Sequence, residues 1–292
     1  MIIRACLIVC VAIISSSAVG QVISGKVVDA ETKDPLSYVH IGIQGKSMGV
    51  ISRDDGAFSI DISRANADDT LVFQMIGFHD AIYPVKSLNS NKSHQIKLKP
   101  RVYKLKEVVV TADRIKDKKK PVKLGRHVPT KWTTGQSGYK DFGFGGENGL
   151  KIYHEEKKWY LTEMTMHIKV NTVDSILFRF NIYKIEGGLP GESFLKQEVF
   201  IKAYKKDKWI SADLSTLNLV MEEDLFATYE VVRVWFSDKT NNAMFFTHGG
   251  GYERGGSLYR ESSIAPWSTE SYSHQLQVSN PVIFFSAFEL KE

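Results

Sequence analysis

The sequence predicts an all-β chain made of two antiparallel sandwiches. Three observations predict it. Short stretches alternate apolar and polar residues, turn-forming residues separate these stretches at regular spacing, and no long stretch has helical periodicity. With 292 residues, of which 43% are hydrophobic, the chain is long enough for two cores.

The N-terminus has the three-part pattern of a secretory signal peptide. A single cation, Arg4, precedes an apolar run over residues 5–14, and small residues end the segment at Gly20. We expect residues 1–20 to be removed on export, leaving a mature chain in the periplasm or associated with the outer membrane. An uncleaved anchor and a lipid on Cys10 remain alternatives. Both cysteines lie in this segment, so the mature chain would have neither a thiol nor a disulfide.

The first sandwich is predicted over residues 21–113. VISGKVVD and YVHIGIQG alternate, and the second of these places Val39, Ile41 and Ile43 on a buried face, with His40 on a wet face. GVISRDDGAFSIDI is interpreted as a hairpin that turns at residues 54–56 and returns three apolar residues to the core. LVFQMIGFH, AIYPVKSL, HQIKLKP and LKEVVVTA are interpreted as further strands, and the last closes the sheet.

Five motifs, in this order, carry a family resemblance: SGKVVD from residue 24, PL at 35–36, DDGAFSI from residue 54, IGF from residue 76 and LKEVVV from residue 105. The segment resembles the carboxypeptidase-D regulatory-like domain, found at the N-termini of envelope proteins and of TonB-dependent receptors. The resemblance implies a seven-stranded, transthyretin-like sandwich that serves as an accessory module and not as a peptidase. Here a second β-domain is expected where such receptors have a plug and barrel.

The histidines do not suggest a zinc peptidase. None of the eight has Glu at the third following position, and His154-Glu155-Glu156 lacks the second histidine of a zinc-binding helix. We therefore predict no metal site and no cofactor.

A basic linker is predicted over residues 114–130. RIKDKKKPVKLGR has seven cations and one acid, whereas the formal net charge of the whole chain is only +5. Such a run is typical of a solvated linker, with an acidic lipid or polysaccharide surface as the sharper interpretation. Nucleic acid is not an expected partner, because no recognition module is present.

The second sandwich is predicted over residues 131–292 and is expected to be jelly-roll-like. YLTEMTMHIKV is predicted to place Tyr160 and Thr162 on the same side as Met164 and Met166, and SILFRFNIY to turn its apolar alternate residues inward. EGGLPGES is interpreted as a surface loop, and EVFIKAY, KWISADL, YEVVRVWFSD and PVIFFSAFEL as later strands. The stretches WISADL and YEVVRVW resemble, more weakly, the sandwich that follows the regulatory-like domain in barrel-less envelope proteins.

Short catalytic motifs are incomplete. GQSG, from residue 135, has Tyr139 where a nucleophile elbow needs glycine, and DFGFGGENGL has Asn148 where a dinucleotide fingerprint needs its last glycine. Adjacent acids such as Glu155-Glu156 are more typical of solvated turns than of a glycosidase pair. We identify no catalytic residue.

The segment over residues 247–267 is the predicted ligand surface. It is rich in glycine and places aromatic rings beside arginines, which suits stacking on sugars and paired hydrogen bonds. Its candidate ligand-binding residues are Tyr252, Arg254, Tyr259, Arg260 and Trp267. Trp132, Trp159 and Trp267 are expected to be exposed, and Trp209 and Trp235 to be core.

The function predicted from the sequence is that of a non-enzymatic cell-envelope binding or scaffold protein whose partner is a glycan or an envelope protein. The alternative is a secreted hydrolase of glycans or peptides with a site assembled from distant loops. Convergent buried carboxylates or a metal cluster would favour that alternative. The sequence gives no indication of an oligomeric state.

Overall fold

A computed structural model describes residues 21–88, 90–102, 115–116, 120–129, 133–137, 144–237, 244–250, 257–268 and 280–291. The all-β prediction is confirmed, since the described elements are strands and two short 3-10 turns, Val85–Ser87 and Ser215–Leu217. No helix among the described residues is both long and apolar enough to cross a membrane.

Within the described residues, the first sandwich consists of two four-stranded sheets. Its strands are β1 (Val22–Asp29), β2 (His40–Ile43), β3 (Gly49–Ile51), β4 (Ala57–Asp61), β5 (Thr70–Gln74), β6 (Phe78–His79), β7 (Ala81–Pro84) and β8 (Ser93–Pro100). One sheet has the order β4-β1-β8-β6 and the other has the order β3-β2-β5-β7. The expected closing strand at residues 105–112 lies outside the described residues.

Two expectations for this sandwich need correction. The predicted hairpin over residues 49–62 is instead a connection between sheets, because β3 pairs with β2 whereas β4 pairs with β1. Its turn is as expected, with Gly56 at a φ of 77° and the Ala57 amide donating to Asp55. The pairing of β1 with β8 is parallel, a departure from the antiparallel prediction.

Alternation predicted the first core correctly. Val39, Ile41 and Ile43 are fully or almost fully buried, and they pack with the apolar residues that re-enter the core on β4. The predicted wet face of β2 is not wet at His40, which is only 7% exposed. The reason is that the second sandwich covers it.

The second sandwich begins inside the predicted linker. Its strands are β9 (Val122–Gly125), β10 (Thr133–Ser137), β11 (Glu147–Ile152), β12 (Trp159–Asn171), β13 (Ser175–Glu186), β14 (Leu189–Ser193), β15 (Val199–Tyr204), β16 (Trp209–Asp213), β17 (Val220–Met221), β18 (Leu225–Trp235), β19 (Met244–Gly250), β20 (Ser257–Arg260), β21 (Asn280–Pro281) and β22 (Ile283–Glu289). β9 pairs with β22, and its Leu124 is buried in the core, so this part of the basic run is an edge strand.

Two sheets enclose the second core. The larger has the order β10-β19-β12-β22-β9, with β16 and β17 also on β12 and β21 on β19. The six-stranded sheet has the order β14-β13-β18-β11-β20, with β15 also on β13. β14 occupies the segment that was interpreted as a loop, because Gly187 and Gly188, both at positive φ, make a tight turn back onto β13.

A β-bulge changes the face assignment on β12. The register with β22 shifts between Leu161 and Glu163, so Leu161 joins Met164 and Met166 in the core, while Tyr160 and Thr162 do not. On β13 the prediction is confirmed, since the four alternate apolar residues, Ile176, Phe178, Phe180 and Ile182, are fully buried.

The tryptophan predictions were partly wrong. Trp159, expected to be exposed, is 2% exposed in the core, and Trp209, expected to be core, is 44% exposed. Trp235 is half-buried. Trp159 and Trp209 are the first residues of their strands. At that position no preceding strand residue shows which of the two alternating faces the side chain belongs to. Trp132 lies outside the described residues.

Candidate ligand site at the junction of the two sandwiches

A row of charged residues crosses the outer face of the six-stranded sheet. By strand register, Glu147 lies opposite both Arg260 and Glu230, and Glu230 lies opposite Arg179. The row therefore has the sequence Arg260–Glu147–Glu230–Arg179 across four adjacent strands. The first sandwich packs on this face, which makes the row buried although it is not in a core.

Glu147 is at the centre of one half of the row. Its carboxylate is fully buried and pairs with the Arg260 guanidinium. It also accepts hydrogen bonds from Thr228 at 2.6 Å, from Asn181 at 3.0 Å and from the Tyr183 hydroxyl at 3.0 Å. These groups satisfy the charge without water, as a buried carboxylate requires.

Arg179 joins the two sandwiches in the other half. Its guanidinium donates to the Tyr38 carbonyl oxygen of the first sandwich and lies 3.3 Å from Glu230. Its Nε lies 2.9 Å from Glu198, an ion pair too bent to count as a hydrogen bond. The Glu198 carboxylate also accepts the backbone N–H of Ile76 at 3.2 Å, a second link across the junction.

His40 inserts from the first sandwich between Arg179 and Glu230. Its Nε2 lies 2.9 Å from the Glu230 carboxylate and also close to the Arg179 guanidinium. One nitrogen cannot donate to the carboxylate and accept from the guanidinium at once. We assign a proton to Nε2, which faces Glu230, and Nδ1 lies 3.3 Å from the Arg179 guanidinium.

Electrostatics within the row favour the charged forms. Burial would raise the pKa of Glu230, but Arg179 and His40 outweigh it and hold that pKa below its ordinary value. Burial likewise opposes charge on Arg179, yet Glu230 and Glu198 raise its pKa. Burial, with the neighbouring Glu147 carboxylate, raises the pKa of Tyr183 well above its usual range. These shifts favour an ionised Glu230, a charged Arg179 and a neutral Tyr183 phenol.

Glycines allow the two sandwiches to approach closely. Gly42 and Gly49 lie opposite each other on β2 and β3. A Cβ on Gly49 would lie 2.5 Å from the Ser262 Cβ, and one on Gly42 would lie 3.1 Å from the Ile264 Cβ. Neither position has room for a side chain without movement of the second sandwich.

An open groove, here called the junction groove, lies beside this contact. Its volume is about 860 Å³, and it is lined by residues 49–55 and 57–59 of the first sandwich and 232–234 of the second. Among the described strands, β3 and β4 lie at the edges of their sheets, and β18 is paired beyond Glu230 only on its β13 side. Within that part of the chain, backbone groups without a strand partner therefore lie beside the groove on both sandwiches.

A smaller pocket lies at the other side of the charge row. Its volume is about 200 Å³, and its walls include His40, Asn181, Tyr183 and Arg260. The side chains of these four residues are already bonded within the row. Since ligand pockets commonly measure about 300–1,000 Å³, the junction groove is the better candidate for a ligand.

The predicted ligand residues of the 247–267 segment have other contacts. The Arg260 guanidinium is committed to Glu147, and it lies 4.3 Å from the Trp267 ring. Trp267 is half-buried and packs against Tyr183 with ring centres 5.9 Å apart. Tyr259 is half-buried on β20, with its backbone paired to Ser268. The other two residues, Tyr252 and Arg254, lie outside the described residues.

The His154 segment forms a turn. Glu155 and Glu156 both have positive φ, and His154 Nδ1 lies 2.8 Å from an Asp224 carboxylate oxygen. Although burial acts against the charged form of Asp224, hydrogen bonds from His154 and Lys151 lower its pKa to about 2. In the described part of the chain, no group of three or more His, Cys, Asp or Glu side chains is arranged to hold a metal ion.

The buried row was not predicted from the sequence. Its members are single charged residues within strands whose other face is strongly apolar. An isolated charge in such a strand is the sequence feature that could have pointed to them. Only the register, which brings Glu147 beside Glu230, shows that they form one row.

Comparison with known proteins relates the first sandwich to a described family. Residues 23–110 match the family model described as CarboxypepD_reg-like domain, so this part of the chain is similar to domains of that kind. No curated protein matches the chain. A solved structure of the infectious bursal disease virus Gx strain contains a similar chain, with 12% identity and a TM-score of 0.25. The alignment covers 92% of this chain and 63% of the viral one, so this chain spans less than two thirds of it. That likeness carries no functional argument.

Proposed function

We propose that this chain is a non-enzymatic binding or scaffold protein of the cell envelope, and that the junction groove is its ligand surface. The CarboxypepD_reg-like domain supports a non-catalytic binding or scaffold module in general. The observation that carries the proposal is the groove itself, which is large enough for a ligand and is walled by both sandwiches.

The buried row gives the groove fixed walls. Arg179 and His40 tie the two sandwiches together beside it, and the close approach at Gly49 limits sliding between them. A pre-organised surface loses less entropy on binding than one that must first be assembled. The edges of β3 and β4, which have no strand partner among the described residues, suit an extended ligand, either a peptide strand or a glycan chain.

The envelope location rests on the sequence. The pattern of residues 1–20 is that of an export signal, and the mature chain would lack cysteine. Cell fractionation and N-terminal sequencing test this part. The proposal expects a mature protein that starts at Gln21 in the periplasmic or outer-membrane fraction.

One observation favours the hydrolase alternative, because Glu147 and Glu230 are buried carboxylates on adjacent strands. Each has an arginine partner, and neither lines the groove or the smaller pocket. A hydrolytic acid needs a raised pKa and contact with substrate, whereas the pKa of Glu230 is lowered. The binding function is therefore the better supported of the two.

A groove-filling substitution tests the proposed site. Ser59 is exposed on β4 and lines the groove, so Ser59→Trp would occupy it. Ser93→Trp on β8, an exposed serine of the same sandwich outside the groove, is the matched control. We expect ligands found on glycan and peptide arrays with the full mature chain to be lost by Ser59→Trp only. Equal binding by both variants would contradict the assignment of the groove.

A further inference from the structure

A second feature, here called the aromatic–cation row, extends from the groove along the outer face of the six-stranded sheet. It consists of Tyr204, Lys202, Trp235 and Arg233. On β13, Ser175 lies opposite both aromatic residues, and Leu177 lies opposite both cations. The four side chains therefore share one face, and Arg233 also lines the junction groove.

The rings and cations are in mutual contact. Lys202 Nζ lies 4.0 Å from the centre of the Trp235 ring and 5.5 Å from that of Tyr204. The Arg233 guanidinium lies 4.6 Å from the Trp235 ring. Each distance is within the range of a cation–π interaction, so the Trp235 ring lies within reach of two cations.

The charge of the row is only partly neutralised locally. Arg233 has an ion pair with Asp54, but in the described part of the chain no carboxylate oxygen lies within 4.0 Å of the Lys202 ammonium. Exposed Lys205 and Lys206 follow immediately, and the nearby Asp207 accepts the Tyr204 backbone N–H. The row thus has a surplus of positive charge beside a Tyr204 ring that is 57% exposed.

We propose that the aromatic–cation row binds an acidic saccharide, with the Tyr204 ring against a sugar ring and Lys202 on its carboxylate. Apolar ring faces pack on the C–H surface of sugars, and an ammonium hydrogen-bonds a carboxylate strongly. This inference rests on the proposed function, because it names the ligand class of a surface continuous with the groove.

A saccharide fits this surface better than a membrane does. Register places Tyr204, Lys202, Trp235 and Arg233 on one face of the sheet, and both cations lie over the Trp235 ring. Insertion into a bilayer would need apolar side chains that project beyond the charged ones. A row in which cations cover a ring suits an acidic chain that lies along the sheet.

Isothermal titration of the full mature chain with oligogalacturonate tests the inference, with a neutral malto-oligosaccharide as the uncharged probe. Lys202→Gln keeps most of the side-chain length, and Lys97→Gln, an exposed lysine on β8, is the matched control. We expect about tenfold weaker binding for Lys202→Gln and for Tyr204→Ala, and no change for Lys97→Gln. The neutral probe should bind more weakly, and thermal melting should show that all variants remain folded.

Four results would overturn the inference. Oligogalacturonate that does not bind, or that binds Lys202→Gln as well as the unsubstituted chain, removes the saccharide assignment. Equal dependence on Lys202 for phosphatidylglycerol vesicles would indicate a charged membrane surface instead. If Ser59→Trp abolishes binding and Lys202→Gln does not, the junction groove is retained as the ligand site of the proposed function. The aromatic–cation row is then rejected as a saccharide site.

Discussion

Replacement of Arg179 by methionine is the sharpest test of how the two sandwiches are joined. The side chain is fully buried, and its guanidinium contacts Glu230, Glu198 and the Tyr38 carbonyl oxygen. Methionine has a similar length but no charge. Arg179→Met would therefore leave two buried carboxylates without their cation and the carbonyl without its donor.

The expected cost follows from those contacts. Removing one partner of a buried ion pair costs about 3–5 kcal/mol, because the remaining charge is left desolvated. At about 2–4 °C per kcal/mol for chains of this size, the melting temperature should fall by roughly 10 °C. Arg53→Met, at an exposed arginine whose nearest carboxylate is 3.8 Å away, should change stability by less than about 0.5 kcal/mol.

Urea unfolding followed by tryptophan fluorescence provides the assay. The double variant Arg179→Met/Glu230→Gln separates charge from packing, because it removes the arginine together with one of the two carboxylates that would otherwise lose their cation. We expect it to be more stable than Arg179→Met alone, with a coupling of about 0.5–3 kcal/mol. A loss below about 1 kcal/mol for Arg179→Met, or no coupling, would show that the row does not hold the junction.

Three further predictions use other parts of the structure. The lowered pKa of Glu230 means that the folded state favours its ionised form, so its stabilisation is full above the unfolded value of about 4.3 and is lost as the pH falls through the folded value. The urea concentration at the unfolding midpoint should therefore decrease as the pH is lowered below 4. The decrease should be smaller in Glu230→Gln. Trp267→Ala should lower the free energy of unfolding by about 2 kcal/mol, because the ring packs on Arg260. Unchanged stability with loss of glycan binding would instead support the 247–267 segment as a ligand surface. A fragment of residues 22–112 should show a cooperative thermal transition in calorimetry, and a fragment without one would reject that domain boundary.

The alternation of apolar and polar residues was sufficient to predict which residues are buried in strands that bury one face. Val39, Ile41 and Ile43 in the first sandwich, and the alternate residues from Ile176 in the second, lie where period two places them. It failed where the strand geometry departs from that period. The bulge after Leu161 moves Thr162 off the core face, and a bulge has no mark in the hydrophobic pattern.

The junction could not be predicted from the same signal. His40 alternates as a solvent-facing residue should, and only the packing of the second sandwich buries it. The relation of Arg179 to Glu230 depends on strand order, and residues 51 positions apart give no local pattern. The aromatic–cation row has the same origin, since it depends on β13 pairing with both β15 and β18.

Lysine footprinting with and without saturating oligogalacturonate tests the account most directly, because it reports where the ligand lies. Acetylation rates measured by mass spectrometry should fall at Lys202 when the ligand is bound and should be unchanged at Lys97. Protection at Lys202 would place the ligand on the surface that continues from the junction groove. Unchanged acetylation at Lys202, under conditions in which titration shows the ligand bound, would contradict that account.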